Sequence, residues 1–296
     1  MTNLQQALSK FQSKLSAICA DDPRLEADLI WMKVLSLSRA ELFGYSQHEL
    51  IKKSTLKKAE VLLNRRLSNE PLPHLIGSKE FYGLKIKTSS KALIPRPETE
   101  IVVEEALAHL TSKENLLAAD VGCGTAAISI AIAKNATNAN LFALDISKNA
   151  LNIARENIKM HQLENRIQVI QSNLLSNLPH KVHMLLANLP YIPTIELPYL
   201  QSEVQLYEPL IALDGGVEGL EIINRFLKQA KSKLLPNGVI ILEIDPSQVE
   251  KIVSLSSDYF PSLSYNIVND LAGKPRVIVI NTNISFRSNR NNEKWN

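Results

Sequence analysis

The sequence predicts an α/β protein: a doubly wound, mainly parallel sheet with an antiparallel edge hairpin, preceded by a small helical bundle. Three observations carry this. From Asn115 onward, strand-like runs alternate with helical ones: LLAADVG, a helix from Ala126, NLFALDI, the helix LNIARENIKM, IQVIQS and HMLLANLP; after a long loop come a helix from Leu220, VIILEI and a helix from Ser247. Such alternation builds parallel strands joined by helices that cover both faces of the sheet. SYNIVND and PRVIVIN, joined by the short turn LAGK, read as a closing antiparallel hairpin. Before residue 70 the apolar residues recur at helical spacing instead.

In the front part, Leu4, Leu8, Phe11, Leu15 and Ile18 fall on one helical face. Asp22-Pro23 then supplies a cap and a first-turn proline ahead of LEADLIWMKVL. A further helix is expected from about Ser46 to Leu67. The stretch PLPHLIGSKEFYGLKIKTSSKALIPRP breaks this periodicity with Pro71, Pro73, Pro95 and Pro97 and alternates like a short hairpin. The expected division is therefore a helical domain over 1–70, a hairpin linker over 71–92, an α/β domain over 93–282 and a polar tail over 283–296.

The chain has 296 residues, enough for two unequal domains, and its 45% hydrophobic and 21% charged content is that of a globular protein. Cys19 and Cys123 are the only cysteines, too few for a disulfide framework or a cysteine metal site, and they suit a reducing compartment. The longest apolar runs fall far short of the roughly 20 residues needed to span a bilayer. MTNLQQALSKFQSK lacks a charged-then-apolar signal pattern. A cytoplasmic protein is expected, with no membrane partner. Residues 1–91 carry 15 Lys plus Arg against 9 Asp plus Glu, a balance of +6, whereas the remainder carries 18 against 21, a balance of −3. A basic front could face RNA, a ribosome or an acidic protein, or only solvent.

The segment Gly122-Cys123-Gly124-Thr125-Ala126 sits where the first strand of the α/β part turns into its first helix, and Asp145 ends the second strand. Glycines there permit a tight turn and close backbone approach at a helix N-terminus, and Asp145 can accept both hydroxyls of a ribose. The arrangement is Rossmann-like. G-C-G-T-A-A also satisfies a relaxed dinucleotide fingerprint, so NAD competes with S-adenosylmethionine. Asp120, two positions before the first glycine, suits a cofactor with an amino-acid end and no pyrophosphate. Cys123 has no neighbouring His in sequence and makes a poor candidate nucleophile.

Ala187-Asn-Leu-Pro-Tyr-Ile-Pro193 follows a buried-strand pattern. If a methyl group is transferred to an amide or exocyclic amino nitrogen, acceptors against its N–H bonds localise the nitrogen lone pair and stabilise the charge that develops. Asn188 offers a side-chain oxygen, Leu189 a backbone carbonyl and Tyr191 a flat ring, and Pro190 holds Leu189 extended. The loop alone does not distinguish glutamine from adenine.

With these segments in view, nearly the whole chain resembles the release factor glutamine methyltransferases, the HemK/PrmC family. LIPRPETE at 93–100, ALDGGVEGL at 212–220, DLAGKPRV at 270–277 and PLPHLIGSKEFYGL each resemble a family segment. The resemblance implies a class I methyltransferase domain, S-adenosylmethionine as cofactor, and a helical domain that docks class I peptide chain release factors. The reaction it implies methylates the glutamine side-chain amide of the factor's Gly-Gly-Gln loop, in translation termination. A monomer that needs neither nucleic acid nor metal is expected.

By this resemblance Gly122, Cys123, Gly124, Thr125 and Ala126 pass the methionine and ribose, Asp145 holds the ribose, and Asn173 with Leu174 borders the adenine. Asn188, Leu189, Pro190 and Tyr191 clamp the substrate amide, with Asn188, Pro190 and Tyr191 as the catalytic set and Asn188 also touching the cofactor. Arg96 to Glu100 lie beside the cofactor or fix the linker through an Arg96 ion pair.

Three positions depart from the family pattern: Ala126 replaces a glycine, Asn173 an acidic residue, and Leu189 a proline. Asn-Leu-Pro-Tyr is also the spelling of ribosomal RNA adenine dimethyltransferases, but those carry their extra helices after the catalytic domain. A glutamine of a ribosomal protein and an inactive cofactor-binding module are further alternatives.

Overall fold

The helices of the front part follow their caps. In the computed structural model, which describes residues 3–18, 22–45, 50–109 and 116–282, α1 (Leu4–Ser16) opens on a capping box between Asn3 and Gln6. Helix α2 (Pro23–Leu35) is capped by Asp22 with proline in its first turn, and α3 (Arg39–Gly44) by a second capping box, Ser38 with Glu41. Helices α4 (Lys53–Leu67) and α5 (Leu72–Ile76) complete the series. The helix expected from about Ser46 to Leu67 is present as α4, ending at Leu67 as expected and starting later among the described residues. Short α3 precedes Tyr45, whose extended backbone ends it, and α4 starts only at Lys53. Cys19, Ser46 and the 283–296 tail lie outside the described residues.

Phe11 and Trp31 form the centre of this bundle, their ring centroids 5.3 Å apart and both fully buried. Strands β1 (Ser78–Phe81) and β2 (Leu84–Lys87) pair as a hairpin whose two-residue turn, Tyr82-Gly83, has positive φ at both positions.

The α/β part begins with α6 (Glu100–Ala108), β3 (Leu116–Val121), α7 (Ala127–Asn135), β4 (Ala139–Asp145), α8 (Lys148–Met160), β5 (Ile167–Gln171) and β6 (Val182–Ala187). After α9 (Ser202–Tyr207) it continues with α10 (Glu221–Lys233), β7 (Leu234–Glu243), α11 (Val249–Tyr259), β8 (Leu263–Asn269) and β9 (Pro275–Thr282). Seven strands form one sheet in the order β5-β4-β3-β6-β7-β9-β8, parallel except that β9 runs antiparallel to both neighbours. The mixed α/β class and the edge hairpin are as expected. The antiparallel strand itself is internal, because β8 covers its outer side.

Two apolar layers follow from the alternation of side chains across the sheet. Ala118, Ile130 and Leu186 belong to one, and Val121, Leu185 and Phe226 to the other. Helix α7 (AISIAIAKN) is apolar on nearly every face and is buried from Ala127 to Ala133, as such composition requires.

The chain divides into two compact units, one of residues 1–79, 88–90 and 200–208, the other of 80–87, 91–199 and 209–296. Helix α9 therefore groups with the front helices although it follows β6 in sequence. Within that unit Arg66 pairs with both Glu26 and Glu203 of α9, each at 2.7 Å, and the Tyr207 hydroxyl donates to the Ser68 carbonyl at 3.0 Å.

Candidate active site

The turn from β3 into α7 is built as a cradle. The N–H groups of Gly122 and Cys123 donate to the Leu144 carbonyl at 2.8 and 2.9 Å, tying the loop to the end of β4. Gly122 has φ +72°, and a Cβ there would meet the Leu189 side chain at 3.2 Å. Asn157 of α8, fully buried, donates to the Thr125 carbonyl and exchanges two hydrogen bonds with the Lys87 backbone, which steadies the loop from behind.

Asp145 accepts from the Gly124 N–H at 2.9 Å and the Ser147 N–H at 2.8 Å. Burial raises its pKa while those N–H groups oppose the shift. Asp120 is wholly buried. Its Oδ2 accepts from the Ser129 N–H and hydroxyl at 3.1 and 2.7 Å, and its Oδ1 has no partner among the described residues. Burial lifts its pKa to about 6, against the hydrogen bonds from Ser129. Asp120 does not line the cavity that the glycine loop borders, so this free oxygen lies within the protein behind that loop.

Gly122, Gly124, Asp145, Asn173, Leu174, Asn188, Leu189 and Pro190 line one cavity of about 260 Å³. Cys123, Thr125, Ala126 and Tyr191 do not line it. Cys123 is buried, and burial first, then Asp120 and Asp145, push its thiol well above the ordinary value, which leaves no thiolate for nucleophilic attack. Lys91 to Leu93, Pro209, Ile211 and Arg225 also line it. Leu93 opens the LIPRPETE segment, but the others lie in no motif the sequence marked. Arg225 comes from α10 and the rest from connecting segments, which only the folded chain gathers.

At the end of β6, Asn188 Nδ2 donates to Thr99 Oγ1 at 3.0 Å, and the Thr99 hydroxyl donates to Glu243 Oε2 at 2.6 Å. The Tyr191 hydroxyl donates to Glu243 Oε1 at 3.3 Å. Burial, then the charge of Glu243, raises the Tyr191 pKa, so the hydroxyl stays protonated as a donor. Of the segment Arg96 to Glu100, Thr99 thus stands behind Asn188, and Glu100 accepts from the Tyr82 N–H at 2.7 Å; neither lines the cavity.

Comparison with known proteins now decides the family. A Methyltransferase small domain model matches residues 99–198 and a PrmC N-terminal domain model residues 6–77. The release factor glutamine methyltransferase of Coxiella burnetii is 35% identical over 94% of this chain and 99% of its own. That of Moorella thermoacetica is 35% identical over 92% and 96%. The chain belongs to the release factor glutamine methyltransferase family. Among solved structures, a methyltransferase from Pyrococcus furiosus aligns with TM-score 0.52 at 18% identity, over 77% of this chain and 98% of that one, and shares the fold.

The three departures from the family pattern acquire structural readings. Ala126 has φ +62°, the left-handed region in which glycine is at ease, and is fully buried. Its methyl bears on backbone conformation rather than on the cavity wall. Asn173 Oδ1 accepts from Arg225 at 2.9 Å, which takes one of the two lone pairs of the acceptor expected to face adenine. Leu189 is buried, and its side chain lies against Gly122. No described helix is long and apolar enough to cross a membrane.

Proposed function

We propose that this chain transfers a methyl group from S-adenosylmethionine to the side-chain amide nitrogen of the glutamine in the Gly-Gly-Gln loop of class I peptide chain release factors, in the cytoplasm. The observation that carries it is that Asn188 and Leu189 line the glycine-loop cavity, in a chain similar over nearly its whole length to release factor glutamine methyltransferases. S-adenosylmethionine, when bound, supplies an electrophilic methyl on a sulfonium.

Gly122 and Gly124 would let it approach the backbone, and Asp145 would hold its ribose. Asn173 and Leu174 would border the base, with Arg225 holding the Asn173 side chain in place.

The residues of the clamp then do the positioning. Asn188 Oδ1 and the Leu189 carbonyl carry no donor among the described residues, and both can accept from the amide N–H bonds of the substrate. Two acceptors on one amide nitrogen draw its lone pair out of conjugation and offset the positive charge that grows as the methyl arrives. The nitrogen loses a proton only after it has gained the methyl, so no general base is needed beforehand. Leu189 and Pro190 cover the reacting centre with apolar surface and exclude water.

The helical part, expected over 1–70 and carrying the chain's excess of basic residues, would dock the factor, and the part from 93 to 282 would perform the chemistry. In the test, purified chain is incubated with methyl-labelled S-adenosylmethionine and a release factor, wild type or with the Gly-Gly-Gln glutamine changed. Label should enter the wild-type factor and be absent from the changed one. Label that persists after that change, or that enters only ribosomal RNA, would overturn the proposal.

A further inference from the structure

The carboxylate of Glu243 touches none of the groups assigned above to cofactor or substrate except the Tyr191 hydroxyl, yet it is buried at the end of β7 with both oxygens occupied. Burying an anion there is costly unless its hydrogen bonds serve the structure or the site. Its two donors are Thr99 and Tyr191, and Thr99 in turn receives Asn188. Residues far apart in sequence thus meet in one chain of hydrogen bonds that ends on the substrate clamp.

Proton counting sets the direction of this chain. A threonine hydroxyl has one proton and two lone pairs. Burial raises the Glu243 pKa, against the hydrogen bonds from Thr99 and Tyr191 and the charge of Arg276. While the carboxylate is ionised, Thr99, 2.6 Å away, gives its proton to Glu243 and presents only a lone pair to Asn188. The atom of Asn188 that faces Thr99 must therefore be the nitrogen. Since the two ends of a carboxamide are nearly the same size, packing alone holds one orientation weakly against its flip. The directed hydrogen bonds hold it firmly.

We infer that Glu243 and Thr99 are positioning residues of the methyl transfer: the chain Asn188 to Thr99 to Glu243 turns the Asn188 amide so that its oxygen, not its nitrogen, faces the amide that receives the methyl. The inference rests on the proposed function for the nature of the substrate. A flipped Asn188 would present a donor to a donor and repel the substrate nitrogen. Glu243 also holds the Tyr191 hydroxyl, so one buried anion fixes both side chains of the clamp.

The same logic allows the chain to be reversed. In Asn188→Asp the new carboxylate needs a donor from Thr99, whose proton is committed to Glu243, and two anions would then compete for one hydroxyl. In the double variant Asn188→Asp with Glu243→Gln, the nitrogen of the introduced carboxamide would donate to Thr99, and Thr99 would donate to the introduced carboxylate. The oxygen of that carboxamide would still accept from Tyr191. An acceptor would again face the substrate.

The test compares full-length variants for kcat, for KM of the release factor, for cofactor affinity by titration, and for the Asn188 side-chain NH2 signal in NMR spectra of the ligand-free protein. Thr99→Val should lower kcat on the order of a hundredfold, the scale of losing one aimed polar group, with cofactor affinity nearly unchanged. The Asn188 NH2 protons should at the same time lose their hydrogen-bonded chemical shift. Thr99→Ser should restore both. Asn188→Asp should be impaired, and adding Glu243→Gln should recover part of its activity.

Wild-type kcat in Thr99→Val with an unmoved Asn188 signal would overturn the inference. So would a folded double variant no better than Asn188→Asp alone. The NMR readout needs no substrate, so a shifted Asn188 signal in a protein that fails to label release factors would fault the proposed substrate and leave the hydrogen-bond chain standing.

Discussion

The side-chain amide of Gln248 donates to the Tyr191 carbonyl at 2.9 Å, at a point where the backbone of Gly219 runs directly alongside. A Cβ on Gly219 would lie 2.1 Å from that same carbonyl oxygen and 2.5 Å from the Gln248 amide nitrogen, and Gly219 has φ +72°. The ALDGGVEGL segment is thus the wall that fixes Tyr191 from its backbone side, as Glu243 fixes it from its hydroxyl.

Gly219→Ala should therefore be harmful twice over. Overpacking against backbone costs roughly 1–3 kcal/mol, and the left-handed conformation adds about 1 kcal/mol. The expected outcome is a lowered unfolding midpoint together with a fall in methyl transfer that exceeds any fall in cofactor affinity. Calorimetry and single-turnover labelling measure the two. An unchanged transfer rate would show that the position of the Tyr191 backbone is not important to the clamp.

Asn188→Ala removes one of the two acceptors that the proposed function assigns to the substrate amide. Methyl transfer should fall on the order of 10²–10³-fold, while cofactor affinity, supported by the glycine loop and Asp145, should fall much less. Equal losses in rate and in cofactor affinity would mean that Asn188 serves mainly the cofactor.

Much of this site was legible from local sequence. Gly122, Gly124, Asp145 and Asn188 stand in short motifs whose chemistry requires those residue types at those spacings, and the folded chain brings all four to one cavity. Thr99 and Glu243 were not legible as partners, because they meet only when a turn before α6 and the end of β7 are brought beside β6. The same holds for Arg225, whose hydrogen bond redefines what Asn173 can accept. Helix α9 escaped notice because SEVQLY is short and has no buried residue to set a period. The place of β9 inside the edge hairpin escaped too, since alternation along a strand says which face is buried and not which neighbour it has.

Asp120 makes stability depend on pH. Its folded pKa is about 6, above the ordinary 3.8, so the folded state holds a proton that the unfolded state has already lost between those values. The contribution of this group is fully present below about pH 4 and is lost as pH rises through about 6, a change of about 3 kcal/mol. In Asp120→Asn that loss should vanish. Denaturant midpoints of the two proteins, compared from pH 4 to pH 7, should converge at the acid end and separate at the neutral end in favour of the variant. Parallel curves would show that Asp120 ionises in the folded protein as it does in the unfolded one.

Ala126→Gly should be close to neutral. Relief of the left-handed backbone gains about 1–2 kcal/mol. Against it stand about 0.4–1 kcal/mol from the freer unfolded chain and about 0.8 kcal/mol for the lost buried methyl. Urea unfolding should place the variant within about 1 kcal/mol of the wild type. A loss well beyond that would show that the Ala126 methyl packs against its neighbours more tightly than one buried carbon implies.

Arg66 holds the front helices and α9 together within their unit. Its guanidinium grips Glu26 through two nitrogens at 2.7 and 3.0 Å and reaches Glu203 of α9 at 2.7 Å, and it is buried with Glu26. Burial works against its charge and the two carboxylates outweigh that effect, so its pKa lies above the ordinary arginine value and the ion stays charged. Truncation in Arg66→Ala would leave Glu26 buried without a partner, which costs roughly 3–5 kcal/mol. Arg66→Lys should recover little, because a single ammonium cannot reproduce the two-pronged contact. Glu203→Gln should cost far less, since its side chain is one-third exposed and can rehydrate. Hydrogen exchange separates the two roles of the arginine. Amides of α9 should lose protection in both Arg66→Ala and Glu203→Gln, whereas those of α2 and α4 should lose it only in Arg66→Ala. Unchanged α9 protection in Glu203→Gln would mean that the Tyr207 hydrogen bond to Ser68, and not the ion pair, secures that helix.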